Sequence, residues 1–141
     1  MRWLLDDILA VSRQCDLEVR LLAAADRDRL RERVGVRWGA SSRIWERAPG
    51  CESVQDEDGW QWISGFVGAR PCILFFNADE EVEMAEVSSG DALRSLLANS
   101  YHFEFYVTDV DASYLICFNH HDFVIAWGTA CPWLRQLKAA L

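Results

Sequence analysis

The sequence predicts a single α+β domain, a mainly antiparallel sheet with helices packed on it. Near the C-terminus two apolar runs, Tyr114 to Asn119 and Phe123 to Trp127, are separated by only a few polar residues, the pattern of a tight antiparallel hairpin. Stretches of helical periodicity lie before and after them. The chain has 141 residues, 51% of them hydrophobic, and no Gly/Ser-rich or Pro-rich linker, repeat or low-complexity tract divides it. That is enough for one packed core and no more.

The elements follow in order. Leu4, Ile8, Val11 and Cys15 recur at spacings of four, three and four and fall on one face of a helix from about Trp3 to Gln14. Leu17, Val19 and Leu21 alternate with Glu18 and Arg20 as a half-buried strand does, and the strongly helical AAADRDRLRERV comes next, with Gly35 placed to end it. A short strand is expected at Arg43 to Arg47, then a loop holding Pro49, Gly50 and the acidic run Asp56, Glu57 and Asp58. Asp58 is placed to cap a helix carrying Trp60, Ile63 and Val67 on one face and ending at Gly68. Cys72 to Phe76 and Val82 to Val87 read as two strands joined through the polar Asn77 to Glu80. Ser88 or Ser89 then starts a helix whose apolar face is Leu93, Leu96 and Leu97, Ser88 and Asp91 having the spacing of a capping box. Phe103, Phe105 and Val107 alternate with His102, Glu104 and Tyr106, so this strand is expected on the outside, next to a central Tyr114 to Phe118 that is apolar on both faces. A last helix begins near Thr129, tolerates Pro132 in its first turn and turns Trp133, Leu134 and Leu137 inward.

Charge narrows the function classes. The net charge is -8, the wrong sign for binding a phosphate backbone, so no nucleic-acid partner is expected. The imbalance is local: Cys51 to Asp91 holds ten acids and one base. No run of about 18 apolar residues appears, and Asp6 and Asp7 interrupt the N-terminal stretch where a signal peptide would be apolar. A cytoplasmic protein outside the membrane is expected. Its five cysteines, odd in number and without a C-x-x-C pair, are expected to be reduced, with Cys72 and Cys117 serving as small core hydrophobes.

The densest polar constellation is Asn119-His120-His121-Asp122. Imidazoles and a carboxylate suit metal binding or general-base work. Adjacent residues on a strand point to opposite faces, however, so these side chains converge only if the loop turns them. Hairpin capping by Asn119 and Asp122 is the simpler expectation, and no bound metal or cofactor is expected. Glu104, Asp109 and Asp111 are candidates to line a sheet edge with Asp122, although Asp109 and Asp111 read more simply as a solvated turn. Cys131 stands at a helix start, where a dyad with His120 or His121 is conceivable. Phosphate-cradling, dinucleotide, α/β-hydrolase and zincin motifs are absent. Seven tryptophans are many for this length, with Trp38, Trp45, Trp60 and Trp62 around the acidic segment.

The run FEFYVTDVDASYLICFNHHDFVIAWGTACPWL, Phe103 to Leu134, resembles a C-terminal block of small, uncharacterised bacterial proteins that pair an F-E-[FY]-Y-V strand with a C-F-N-H-H-D turn. The resemblance implies a bacterial source and an α+β domain, and it assigns no activity. In composition the acidic, Trp-rich chain is similar to immunity proteins that neutralise bacterial toxins. The expected function is therefore non-enzymatic binding of a basic protein partner, with His120, His121, Asp122, Glu104, Asp56, Glu57 and Asp58 as candidate binding residues and none assigned as catalytic. The alternative is a small enzyme using the His120-His121-Asp122 turn with Glu104 or Cys131. A concave site around the turn would favour it.

Overall fold

A computed structural model describes residues 3–40, 42–100 and 103–141. Its frame is one seven-stranded sheet in the order β1-β4-β3-β5-β6-β7-β2, every neighbouring pair antiparallel. The strands are β1 (Val19–Leu21), β2 (Glu52–Gln55), β3 (Cys72–Phe75), β4 (Ala85–Val87), β5 (Phe105–Thr108), β6 (Tyr114–Phe118) and β7 (Phe123–Gly128). Helices α1 (Trp3–Gln14), α2 (Ala24–Trp38), α3 (Ile44–Arg47), α4 (Ile63–Val67), α5 (Gly90–Ala98) and α6 (Cys131–Ala139) cover it. Among the described residues no helix is long and apolar enough to cross a membrane.

Burial on both faces explains the two-sided apolar strands. On one face Leu4 and Ile8 of α1, Ile63 and Val67 of α4, Leu93 and Leu96 of α5 and Leu134 of α6 pack on Leu74, Val107, Ile116 and Val124. On the other, Leu30 and Val34 of α2 and Ile44 of α3 pack on Ile73, Phe75, Tyr106, Leu115 and Trp127. Alternate residues of each central strand thus feed two separate cores, so a strand read along its length shows no polar face.

The first helix and the β6–β7 hairpin lie where the periodicity places them, and β3 and β4 pair as expected, but β4 is only Ala85–Val87, so residues 76–84, Val82 among them, form a longer connection than the expected Asn77 to Glu80 loop. Several expectations are corrected. The strand β5 stands at the centre of the sheet, fourth of seven, not on its outside. Its Tyr106 is fully buried and Glu104 just before it is 8% exposed, because α3 covers them; polar residue types there mark a buried network, not solvent. The segment Arg43 to Arg47, expected as a strand, is the site of α3, which buries Ile44. Gly35 does not end α2: the helix continues to Trp38, and Gly39, at φ 115°, ends it, its N–H donating to the Gly35 carbonyl. Ser89, not Ser88, caps α5, its Oγ accepting from the Ala92 amide at 3.1 Å. Asp58 makes no side-chain cap; the Asp56 carboxylate accepts the Asp58 amide at 2.9 Å instead, and a single 3-10 turn, Gly59–Trp62, leads into α4.

The thiols are not all reduced. Cys51, just before β2, and Cys131, the first residue of α6, form a disulfide across a sequence separation of 80. Cys15, Cys72 and Cys117 are free, and burial raises the pKa of the Cys72 thiol to about 12 and that of Cys117 well above its ordinary value. The latter two behave as core hydrophobes.

Candidate functional site

One end of the sheet is polar for a reason visible strand by strand. The residues of β3, β5 and β6 that face α2 and α3 are Ile73 and Phe75, Tyr106, and Leu115 and Cys117. Continuing each alternation by two residues reaches Asn77, Glu104 and Asn119, which therefore turn toward the same side just where the strands stop. All three are buried, at 0%, 8% and 3% exposure. They form a polar layer that closes the core beneath α3.

Glu104 is its hub. Its Oε2 accepts from Trp45 Nε1 at 2.8 Å and Asn77 Nδ2 at 2.5 Å, and its Oε1 accepts the His120 amide at 3.1 Å and lies 2.9 Å from His120 Nδ1. The Arg43 guanidinium stands 3.8 Å away. Burial alone would raise the pKa of this carboxyl, but the hydrogen bonds from Asn77, His120 and Trp45 outweigh it and hold the value below the ordinary glutamate range. A charged Glu104 fixes two neighbours: it pins the Trp45 indole and orients the His120 ring by accepting from Nδ1–H.

The turn between β6 and β7 is built by Asn119 and Asp122. Asn119 Oδ1 accepts the His121 and Phe123 amides, each at 3.0 Å, and Asp122 takes φ 64° while its N–H donates to the Asn119 carbonyl at 3.0 Å. His120 and His121 are thereby turned to one side, their ring centroids 4.0 Å apart, each edge-on to Trp45 at 5.7 and 5.9 Å. The geometric objection to adjacent histidines is met by the left-handed turn. Both rings and Asp122 are exposed.

The acidic run arrives beside this turn through β2, an edge strand that the sequence did not suggest. β2 pairs with β7 in the register Glu52 to Ala126 through Gln55 to Phe123. Past it, the Asp56 amide donates to the Asp122 carbonyl at 2.9 Å and Gln55 Nε2 to the His121 carbonyl at 3.1 Å. Two glycines let the segment lie this close: a Cβ on Gly50 would stand 2.4 Å from Ile125 Cγ2, and one on Gly59 2.5 Å from Val124 Cγ2. His120, His121 and Glu104 thus meet Trp45 at one sheet end, and Asp56, Glu57 and Asp58 follow β2 to the same end, tied there to Asp122.

Other candidates are elsewhere. Asp109 lies beyond the opposite end of β5, where its carboxylate accepts the Asp111 and Ser113 amides at 3.2 and 2.9 Å and bonds the Ser113 hydroxyl, as expected of a turn. It does not join Asp122 and Glu104. Cys131 is bonded to Cys51 and forms no dyad with histidine. His102, the remaining imidazole, lies outside the described residues. Among the described residues no group of three or more His, Cys, Asp or Glu is arranged to hold a metal ion. Trp45 stands out in sequence only as one of four tryptophans around the acidic segment, and Asn77 and Arg43 are not legible there as site residues; for Asn77 a signal exists, as the polar residue two beyond Phe75 in an otherwise apolar alternation.

Comparison with protein-family models, curated proteins and solved structures gives no match to the chain.

Proposed function

We propose that the chain is a protein-binding domain, immunity-like in mode, that engages a basic protein partner through the sheet end bearing Trp45, His120, His121, Asp122 and the Asp56 to Asp58 loop. The observation that carries the reading is the β2–β7 pairing, which fastens an exposed acidic loop to an exposed histidine turn by backbone hydrogen bonds. Carboxylates held on a rigid rim steer a basic partner and orient the encounter. Trp45, pinned by Glu104, is the kind of aromatic anchor that loses little freedom on contact. Five clefts of the surface border α2, β1 or α5, and none of the five has His120 or His121 in its wall.

The test is capture of partners from bacterial lysate on the immobilised chain, followed by association kinetics. The triple variant Asp56→Asn, Glu57→Gln, Asp58→Asn should associate more slowly than the wild type at low salt and with a weaker salt dependence. Unchanged rates at both salts would defeat the reading. The Glu104–His120 pair favours a second one, a general-base enzyme in which the carboxylate fixes the histidine tautomer. Turnover of an activated ester, lost in His120→Asn, would support that instead.

A further inference from the structure

We propose that the Cys51–Cys131 bond is a thiol-exchange site that takes a dithiol reductant and governs how firmly β2 is held on the sheet. The inference rests on the disulfide and the β2 ladder, not on the docking reading, and its readout needs no partner.

The two sulfurs are unequal. Cys51 is exposed, whereas Cys131 is 8% exposed and begins α6. An incoming thiolate therefore reaches Cys51 Sγ first. It forms a new sulfur–sulfur bond there, and the electron pair of the old bond departs on Cys131 Sγ, a thiolate born at a helix N-terminus whose unpaired amides stabilise it. That thiolate takes a proton from water. The second thiol of the reductant attacks its own sulfur of the mixed disulfide and releases Cys51 as the thiol, so the dithiol leaves as a disulfide having given two electrons and two protons. Both sulfurs lie near the Ala126 carbonyl oxygen, at 3.2 and 3.7 Å, an acceptor for the S–H groups that reduction creates.

The bond is also placed to matter. Among the described residues β2 pairs with β7 and no other strand; beside packing, it meets α6 through the Glu52 pairs with Lys138 at 2.9 Å and Arg135 at 3.9 Å. Exposed ion pairs of this kind hold little. Among the described residues the disulfide is the one covalent tie between this edge strand and the helix beside it.

Thiol counting and peptide mapping of the unreduced protein should find Cys15, Cys72 and Cys117 free and Cys51 linked to Cys131. Dithiothreitol should open the link in the native protein. Hydrogen exchange at Ser53 to Asp56 should then quicken roughly tenfold or more, with Leu115 to Cys117 unchanged and protection restored on reoxidation. Cys51→Ser, Cys131→Ser should show the reduced pattern without reductant; if that variant does not fold, the dithiothreitol arm on the wild type decides. Five free thiols, a link that opens only after denaturation, exchange unaffected by reduction, or exchange that rises throughout the sheet would each overturn the proposal, the last by making the bond a global staple.

Discussion

Replacing Glu104 by glutamine tests the polar layer at its hub. The carboxylate divides its work, Oε2 accepting from Trp45 and Asn77 and Oε1 from the His120 amide and ring. A glutamine has one carbonyl. Oriented to serve Trp45 and Asn77, it turns its NH2 against the His120 amide, so two donors face each other; reversed, it strands the indole and the Asn77 amide. A hydrogen bond to a charged group contributes about 1.5–3 kcal/mol and one to a neutral group about 1. In the better orientation two bonds weaken by about half and two are lost, but the His120 side chain is 56% exposed and water recovers much of that loss. The expected cost of Glu104→Gln is about 2–4 kcal/mol at neutral pH. The sign of its pH dependence follows from the lowered pKa of Glu104. A carboxyl depressed in the native state stabilises fully above its unfolded value, about 4.3, and loses that contribution as the pH falls through the native one. Urea unfolding of both proteins should show a gap that is steady from neutral pH down to about 5 and closes in stronger acid. A gap below about 0.5 kcal/mol at neutral pH, or one that persists unchanged in acid, would refute the hub.

Gly50→Ala forces a methyl to within 2.4 Å of Ile125 Cγ2 and 2.8 Å of the Ala126 carbonyl oxygen; denaturant unfolding should show a loss of about 1–3 kcal/mol, and β2 amides should exchange faster. Asp122 holds φ 64°, so Asp122→Ala should cost about 1 kcal/mol while Asp122→Gly stays near neutral, both read from unfolding midpoints.

What the sequence shows of the fold divides by the range of the interaction. α1, the β3–β4 pair and the β6–β7 hairpin are local patterns, and each is readable from spacing alone. The central position of β5 is not, because it turns on whether Glu104 and Tyr106 meet water or α3, and α3 is more than fifty residues distant along the chain. Arg43 to Arg47 misleads in the same way: one short turn of helix is too brief for periodicity to separate it from a strand. β2 escapes notice because an edge strand with a half-exposed face, Glu-Ser-Val-Gln, has the composition of a loop.

The candidate site is legible in pieces and not as a whole. The histidine turn and the acidic run each stand out locally, one for its residue types and the other for its charge, and their common location depends on a ladder whose strands are some seventy residues apart. Three physical requirements have to coincide for that ladder to place them together. Gly50 and Gly59 must leave room against β7, Asp122 must accept a left-handed backbone so that its carbonyl meets the Asp56 amide, and Cys131 must fasten the far end of the strand. Gly50, Gly59 and Asp122 bring no side chain to the main cores, whose helices lie on the two faces of the sheet. A solvating function for the acids would need no such positioning, since carboxylates keep a protein soluble from any exposed loop. The fixed position of this loop beside the histidine turn is what the proposed recognition role requires, and the slowed association of the acidic-loop variant is the result that would separate recognition from solvation.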